Sequence, residues 1–243
     1  MKVIPVIDLL DGQVVHAVRG EREKYRPVKS VLAIGSDPID IANALINETG
    51  CSEMYIADLD AIRKKGSNRD TIARIGDKAG ISLLVDAASF DAESAVAVKK
   101  SGADTVILGS ETFADLAELS GITKHIPVDE LLFSIDISGG RVLSRSEELR
   151  GIDPVEAMRI LSEKGIHRFI LLTLNMVGSG EGPDIEIIKR ARMEFPRHTL
   201  ISGGGVKYAS HLEQLIEAGA DGVLIASCLH KGWISAKDIK RYC

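Results

Sequence analysis

The sequence predicts an α/β fold, a single (β/α)8 TIM barrel, and three observations lead to this prediction. The chain has 243 residues, close to the about 250 that are typical of this fold. Short apolar runs alternate with amphipathic segments of about 10–15 residues, as in parallel strands joined by helical crossovers. The chain also repeats itself, with half-barrels at about residues 1–125 and 126–243, so four strand–helix units occur twice. We therefore expect one barrel domain spanning residues 1–243.

The internal repeat aligns residues 83–110 with residues 200–227 at a constant offset and without a gap. Both segments run from an apolar strand through a helical spacer to a second apolar strand. One position breaks the match, where Gly203, Gly204 and Gly205 fall opposite Asp86, Ala87 and Ala88. This mismatch follows a predicted strand, and strand ends are where such a barrel carries its functional residues.

The first half contains the first four units. Its predicted strands are short apolar runs bounded by turn residues, at 3–7, 54–57, 82–85 and 105–108. The first helix is expected to begin at Asp37-Pro38 and end at Gly50, since aspartate caps a first turn, proline suits the first helical position and glycine ends helices. Further helices are expected at 68–79 and 92–100, with a weaker one at 115–120.

Two segments follow the first strand before its helix begins. Residues 13–18 predict a short hairpin, and residues 20–30 form a long charged loop that includes Arg22. A polar loop after a barrel strand is a candidate lid over the active site, and a plain solvated loop is the alternative.

The second half repeats the order of elements. Its predicted strands lie at 132–135, 168–172, 200–201 and 223–225. A second aspartate–proline pair, Asp153-Pro154, starts the fifth helix, which we expect to end at Gly165. The remaining helices are expected at 184–194 and 210–218, with a short closing helix from residue 235 and a glycine-rich loop at 178–183.

Composition excludes several classes of protein. A net charge of −5 argues against non-specific binding to nucleic acid or to anionic membranes. The chain starts with a strand-like segment instead of an apolar leader and has no apolar run long enough to span a membrane, so we expect a cytoplasmic protein. Cys51, Cys228 and Cys243 are odd in number and lack metal-ligand spacing, so we expect reduced thiols and no metal.

Two aspartates are the first candidates for catalysis. Asp8 and Asp136 end the first and fifth predicted strands, at equivalent positions of the two halves. In a barrel these strands lie opposite each other, so the two carboxylates face a small ligand from both sides and suit proton abstraction by one and donation by the other. Each aspartate could instead cap a turn, but the duplicated placement favours function. Thr173, at the end of the sixth strand, could hydrogen-bond a substrate oxygen or simply occupy a turn.

The ends of the seventh and eighth strands predict a phosphate site. Successive glycines expose backbone N–H groups to an anion, and a following helix N-terminus adds further donors. Tight turning alone is the alternative role of such glycines. We predict that phosphate and substrate bind at residues of the second half and at the equivalent strand end of the first half. In the second half these are Gly203, Gly204, Gly205, Ala226 and Ser227, and in the first half they are Gly109 and Ser110.

The sequence resembles the HisA/HisF family of histidine-biosynthesis barrels over essentially its whole length. The matching segments are residues 4–9, 11–12, 58–60, 134–136 and 202–206, together with the ends of the fourth and eighth strands. The resemblance implies a duplicated half-barrel and ligands with a phosphate at each end. The chain is most similar to HisA, as a divergent member of archaeal type, which implies an Amadori isomerase with Asp8 as base, Asp136 as general acid, Thr173 in support, and no cofactor or metal.

The chain departs from the family pattern at several positions. Asp86-Ala87-Ala88 replaces the glycine-rich exit of the third strand, where the first-half phosphate would bind. A carboxylate about 4 Å from a phosphate charge costs roughly 4 kcal/mol at an effective dielectric constant near 20, which outweighs the gain of about 0.3–1 kcal/mol from a helix N-terminus. We therefore expect no phosphate there unless Asp86 points away. His16 stands where HisA generally has arginine, Ser146-Glu147 where it has tryptophan, and Leu174-Asn175-Met176 lacks the family's carboxylates.

Three functions follow from these observations. The leading hypothesis is an aldose–ketose isomerase that acts on a phosphorylated sugar-type substrate, which need not be the histidine intermediate, with one phosphate near Gly204 and Ser227. A lyase or a cyclising synthase of the HisF type would use Asp8 and Asp136 in the same way. A non-catalytic phosphometabolite-binding protein would have no need for two opposed acids.

Overall fold

Eight parallel strands close into a barrel in the computed structural model, which describes residues 1–243 except for the side chains of Arg22, Lys78, Ala79 and Ala236. The strands in chain order are β1 (Lys2–Leu10), β2 (Gln13–His16), β3 (Arg26–Pro27), β4 (Glu53–Asp58), β5 (Ser82–Asp86), β6 (Thr105–Gly109), β7 (Leu131–Ser138), β8 (Arg141–Leu143), β9 (Arg168–Thr173), β10 (Thr199–Gly203) and β11 (Gly222–Ile225). Each barrel strand pairs in parallel with the next, and β11 pairs with β1 to close the ring. The predicted fold class is confirmed.

Helices fill the connections between barrel strands. They are α1 (Pro38–Thr49), α2 (Leu59–Ile62), α3 (Arg69–Ala79), α4 (Ala92–Lys100), α5 (Leu119–Ile122), α6 (Pro154–Glu163), α7 (Ile185–Glu194), α8 (Ala209–Ala218), α9 (Ser227–His230) and α10 (Ala236–Ile239). Asp37 and Asp153 cap α1 and α6 through their carboxylates, as predicted. The weak fourth helix is reduced to a 3-10 turn (Leu116–Glu118) followed by α5.

The two halves are equivalent in their hydrogen bonds as well as in their sequence. The Leu83 N–H donates to the carboxylate of Asp104 at 2.9 Å. In the second half, the Leu200 N–H donates to the carboxylate of Asp221 at 2.8 Å. These pairs occupy matching positions of the repeat, so the half-barrel repeat predicted from sequence is also present in the structure.

Two hairpins extend barrel strands beyond their predicted ends. In the first, β1 continues to Leu10 and pairs with β2, with Asp8 opposite Val15. In the second, β7 pairs with β8, with Asp136 opposite Leu143. Positive φ values at both residues of each two-residue turn, as in type I′ hairpins, suit the twist of the flanking strands. The hairpins place both aspartates within paired strands and not at loop ends.

The barrel interior is filled by one side chain or more from every strand. Apart from the contribution of β4, the strands supply aliphatic residues, which include Ile4, Leu84, Ile107, Leu132, Ile170, Ile201 and Leu224. β4 supplies Tyr55 and Ala57, whose side chains share one face because they are two residues apart. A separate apolar layer packs the outer face of the strands against the helices. The interior is therefore solid below the strand ends, and the strand ends carry the site.

The prediction of reduced thiols is wrong for two of the three cysteines. Cys51 and Cys243 form a disulfide, while Cys228 is free and buried. Cys51 follows the end of α1, and α10 packs against α1, which brings the last residue of the chain to Cys51. Such a contact between distant residues leaves no trace in the cysteine spacing.

None of the described helices is both long and apolar enough to cross a membrane.

Candidate active site

A pocket of about 220 Å³ opens at the carboxyl ends of the barrel strands. Its lining combines carboxylates, glycine backbone, two histidines and two tyrosines with many apolar side chains. The polar and glycine members are Asp8, His16, Gly20, Tyr25, Tyr55, Asp86, Glu111, Asp136, Gly178, Gly180, Gly204, Gly205, Ser227 and His230. A largely apolar pocket with a few convergent polar groups is the usual form of a small-molecule site.

Asp8 and Asp136 both line this pocket. β1 and β7 are four strands apart in the eight-stranded ring, so the two carboxylates enter from opposite sides. Asp136 is buried, and its backbone N–H donates to the hydroxyl of Ser110 at 3.0 Å. Ser110 is itself fully buried and donates to the carbonyl of Leu143 at 2.8 Å. The structure therefore places Ser110 as a support for the strand that carries Asp136, and not in the pocket lining.

A third carboxylate and a phenol complete the floor of the pocket. The Tyr55 hydroxyl donates to Asp86 at 3.3 Å, and both residues line the pocket. Burial, followed by the charges of Asp86, Asp136 and Asp8, raises the pKa of the Tyr55 phenol well above its usual value. Tyr55 thus stays protonated and can always donate a hydrogen bond.

Sequence reasoning missed Tyr55. The signal was present, because Tyr55 has the only polar side chain in the predicted strand 54–57, but the direction of that side chain emerges only when the barrel closes.

Asp86 points into the pocket. Its carboxylate lies 3.3 Å from the position that a Cβ on Gly109 would occupy, so the absence of a side chain at Gly109 leaves room for it. Ala88 has a φ of 59°, and Gly205, at the matching position of the repeat, has a φ of 82°. The end of β5 thus has a residue with left-handed backbone, Ala88, at the position that matches Gly205. It has the carboxylate of Asp86 at the position that matches Gly203.

The glycines after β10 combine close packing with exposed amides. A Cβ on Gly205 would lie 1.8 Å from the carbonyl oxygen of Gly182, and one on Gly204 would lie 2.9 Å from that of Thr173. No acceptor within the described chain takes the N–H of Gly205 or Val206, and both residues line the pocket. Tight turning and anion binding, which the sequence presents as alternatives, are therefore compatible here.

The eighth strand contributes Ala226 and Ser227 to the same region, and both line the pocket. Ser227 begins α9, a four-residue helix that the sequence analysis did not foresee. His230 ends this helix and lines the pocket as well. Sequence reasoning also missed His230, whose only signal was its position three residues after the predicted Ser227.

Thr173 is not among the residues that line the pocket. Its buried hydroxyl lies 3.4 Å from the carboxylate of Asp184, the residue that caps α7. Leu172 and Leu174, on either side of it, line the pocket instead. The structure therefore connects Thr173 to the helix that follows β9 and not to the two aspartates.

Two loops cover the pocket and contact each other. The Arg19 N–H donates to the carbonyl of Val177 at 2.9 Å, and the Arg19 side chain pairs with Glu181 at 2.7 Å. A Cβ on Gly178 would lie 2.5 Å from the carbonyl oxygen of Ala17. The segment that leads into the candidate lid, residues 17–19, is thus packed onto the loop after β9, and the side chain of Arg22 in the lid itself lies outside the described residues.

No group of three or more histidine, cysteine, aspartate or glutamate side chains among the described residues is arranged to hold a metal ion.

Comparisons with known proteins agree with this architecture. A family model described as histidine biosynthesis protein matches residues 2–235. An uncharacterized protein of Methanocaldococcus jannaschii is 33% identical over 98% of this chain and 97% of its own. A protein of Cenarchaeum symbiosum, named as an imidazole-4-carboxamide isomerase with two phosphoribosyl groups in its substrate name, is 31% identical over 98% of each chain. An isomerase of the same name from M. jannaschii is 27% identical over 98% of this chain and 97% of its own. The chain therefore belongs to the histidine biosynthesis protein family.

Proposed function

We propose that this protein is an aldose–ketose isomerase of the Amadori type that acts on a phosphorylated aminoaldose. The observation that carries the proposal is the pair of aspartates, Asp8 and Asp136, held in equivalent hairpins on opposite sides of one pocket. The relatives named as isomerases over essentially the full chain support the same reaction class.

The proposed reaction needs one acid and one base. Asp136 protonates the ring oxygen of the aminoaldose, and the bond from C1 to that oxygen breaks to leave a C1 iminium. Asp8 then removes the proton from C2, and the electron pair of the C2–H bond forms an enolamine. Asp8, after its proton exchanges with solvent, protonates C1, and the carboxylate of Asp136 takes the hydroxyl proton at C2, which gives the aminoketose and restores both side chains. No net oxidation or reduction occurs, because hydrogen moves from C2 to C1 through exchangeable groups.

One phosphate of the substrate binds at the second-half end of the pocket in this proposal. The amides of Gly205 and Val206 and the start of α9 at Ser227 supply the hydrogen-bond donors. Binding energy at this remote group positions the sugar between the two aspartates. We call this proposed phosphate-binding site, formed by Gly205, Val206 and Ser227, the phosphate seat. A crystal grown in sulfate tests it, since we expect sulfate to bind to these amides and not elsewhere in the pocket.

The other end of the pocket favours hydroxyl or amine donors over a second phosphate. Asp86 and Glu111 line it with carboxylates, and Tyr55 holds one oxygen of Asp86 by a hydrogen bond. A carboxylate repels phosphate but accepts hydrogen bonds from a sugar. The substrate that we propose is therefore a sugar with a single phosphate, which differs from the two-phosphate substrate of HisA.

The relatives support a separate substrate. M. jannaschii has both a named isomerase, 27% identical to this chain, and an uncharacterized protein that is 33% identical. This chain is thus more similar to a second family member in an organism that already has the named isomerase. The cytoplasmic location predicted from sequence remains part of the proposal.

Mass spectrometry of the phosphometabolite that co-purifies with the protein tests the proposed substrate class. We expect an aminosugar or its ketose with one phosphate. A bound ligand with a phosphate at each end would contradict the proposal for the Asp86 end of the pocket.

A further inference from the structure

Two histidines lie at the phosphate end of the pocket without a role in the proposed reaction. His230 is in α9, three residues after Ser227, so the two side chains share one face of the helix. Side chains on a helix lean toward its N-terminus, which directs His230 toward Ser227. His16 comes from β2, and both histidines line the same pocket as Ser227.

The loop before α1 contacts His230 on the side of the ring away from the pocket. Its Nδ1 lies 3.0 Å from the hydroxyl of Ser30, and its backbone carbonyl accepts from the Val31 N–H at 2.9 Å. The residue is only 3% exposed. Within the described chain its Nε2 has no hydrogen-bond partner, although the ring borders the pocket. This arrangement fixes one nitrogen and presents the other to a ligand.

His16 and His230 are close enough to influence each other. Burial, followed by the charge of His16, lowers the pKa of His230 to about 4. Burial, followed by the charge of Lys231, lowers the pKa of His16 as well. Both rings are therefore largely neutral at neutral pH, and each can still donate one N–H.

We propose that His16 and His230 complete the phosphate seat by donating hydrogen bonds to the phosphate oxygens, and that a bound dianion draws a proton onto the pair. This inference rests on the phosphate site of the proposed function. The neutral rings admit the ligand without a fixed charge, and the dianion then favours the protonated form. The isomerase therefore binds its phosphorylated substrate more tightly as pH falls from about 8 toward about 6, the second pKa of a phosphate monoester, above which the phosphate stays largely dianionic.

The other charged groups near the pair set the size of this effect. Lys231, at the end of α9, opposes protonation of His16. Asp8 lines the pocket from β1, the strand paired with β2, and brings a carboxylate to the same pocket. Cys228 on α9 stays uncharged, because burial raises the pKa of its thiol to about 12.

Calorimetric titration with sulfate tests the inference, because sulfate stays dianionic over the whole range. We expect affinity for the wild type to rise roughly tenfold from about pH 8 to about pH 5.5, with proton uptake from buffer. His230→Gln and His16→Gln should each weaken sulfate binding by roughly tenfold and reduce the pH dependence. His125→Gln, at an exposed residue outside the pocket lining, should change neither.

NMR titration of the wild-type histidines gives a readout that does not depend on how the variants fold. We expect sulfate to raise the pKa of His16 and His230. Sulfate binding with unchanged histidine titration, and unchanged affinity in both variants, would overturn the histidine role while leaving the phosphate seat in place. A wild type that binds no sulfate at any pH would overturn the phosphate seat as well.

Discussion

Tyr55 is the residue whose chemistry depends most on its surroundings. It is buried against three carboxylates that line the same pocket, so its ionised form is strongly disfavoured. The phenol therefore serves as a permanent hydrogen-bond donor on the pocket floor.

We predict that Tyr55 does not ionise while the protein is folded. The chain has four tyrosines, and an alkaline absorbance titration of the folded protein should give the same tyrosinate signal for the wild type and for Tyr55→Phe. The folded-state pKa lies above the unfolded value of about 10, so the stability from this proton is complete below about pH 10 and is lost as pH rises further. A larger tyrosinate signal in the folded wild type than in Tyr55→Phe would contradict the buried environment.

Asp86 lines the first-half end of the pocket, and we propose that its charge decides which ligands can bind there. We predict that the wild type barely turns over the two-phosphate HisA substrate. Replacement of Asp86, Ala87 and Ala88 together by glycine should improve binding of two-phosphate ligands, because it removes the carboxylate and frees the backbone at Ala88, whose φ is 59°. Steady-state kinetics on that substrate is the measurement.

A matched variant separates the effect of the Asp86 charge from the effect of freeing the backbone at Ala88. Asp86→Asn removes only the charge and should recover part of the gain. The gain should persist in high salt, since a buried site is weakly screened. Efficient turnover of the two-phosphate substrate by the wild type would show that Asp86 does not exclude phosphate.

At the scale of elements, the loop after β10 depends on its contact with the loop after β9. A Cβ at Gly205 would lie 1.8 Å from the carbonyl oxygen of Gly182, and Gly205 itself has a φ of 82°. We predict that Gly205→Ala displaces the loop, abolishes sulfate binding and destabilises the fold by about 2–4 kcal/mol. Isothermal titration and chemical denaturation would measure the two effects.

Gly12→Ala is the control for this variant. Gly12 has a similar φ of 73°, but no atom lies within 4 Å of the position that its Cβ would occupy. Its cost should be limited to the left-handed backbone, about 1–2 kcal/mol, with sulfate binding intact. Equal effects of the two substitutions would mean that the loop contact has no part in the site.

Elements with strong local signals could be predicted from sequence, and the others could not. Asp37 and Asp153 identify the starts of α1 and α6 because each is followed by proline and caps the first turn. α2 and α9 have four residues each, too few for a hydrophobic period to appear. The missed helix α9 is also the element that carries His230 into the pocket.

The residues of the candidate site also differ in how far they could be predicted from sequence. Asp8 and Asp136 could be found because duplication places them at equivalent strand positions. Tyr55 could not be assigned, since its role depends on carboxylates from three other strands that meet only in the closed barrel. Thr173 was assigned to the site from sequence but does not line the pocket. Side chains alternate between the two faces of a strand, so a polar residue at a strand end can face either the pocket or the helices.

At the scale of the molecule, one covalent link joins the end of the chain to its first quarter. Cys51 and Cys243 are 192 residues apart, and a crosslink that closes a long loop restricts the unfolded chain most. We predict that reduction, or Cys51→Ser, lowers the melting temperature by roughly 10 °C, from a loss of about 3–5 kcal/mol.

Calorimetry with and without reductant is the measurement. Reductant should have no further effect on the Cys51→Ser variant, which serves as the control. An unchanged melting temperature, or three titratable thiols in the denatured but unreduced protein, would contradict the disulfide.

The barrel as a whole holds two carboxylates, Asp8 and Asp136, on opposite sides of one pocket. Our central proposal is that they exchange protons with one substrate. Its most direct test is isomerisation of the co-purifying aminoaldose in deuterated water, followed by NMR. The wild type should lose the C2 proton and form a ketose with a solvent deuteron at C1, and Asp8→Asn and Asp136→Asn should each slow turnover by about 10²- to 10⁴-fold. Asp129→Asn, at an exposed carboxylate outside the pocket, should match the wild type. Turnover within a few-fold of wild type in both pocket variants, or a product without solvent deuterium, would contradict the account.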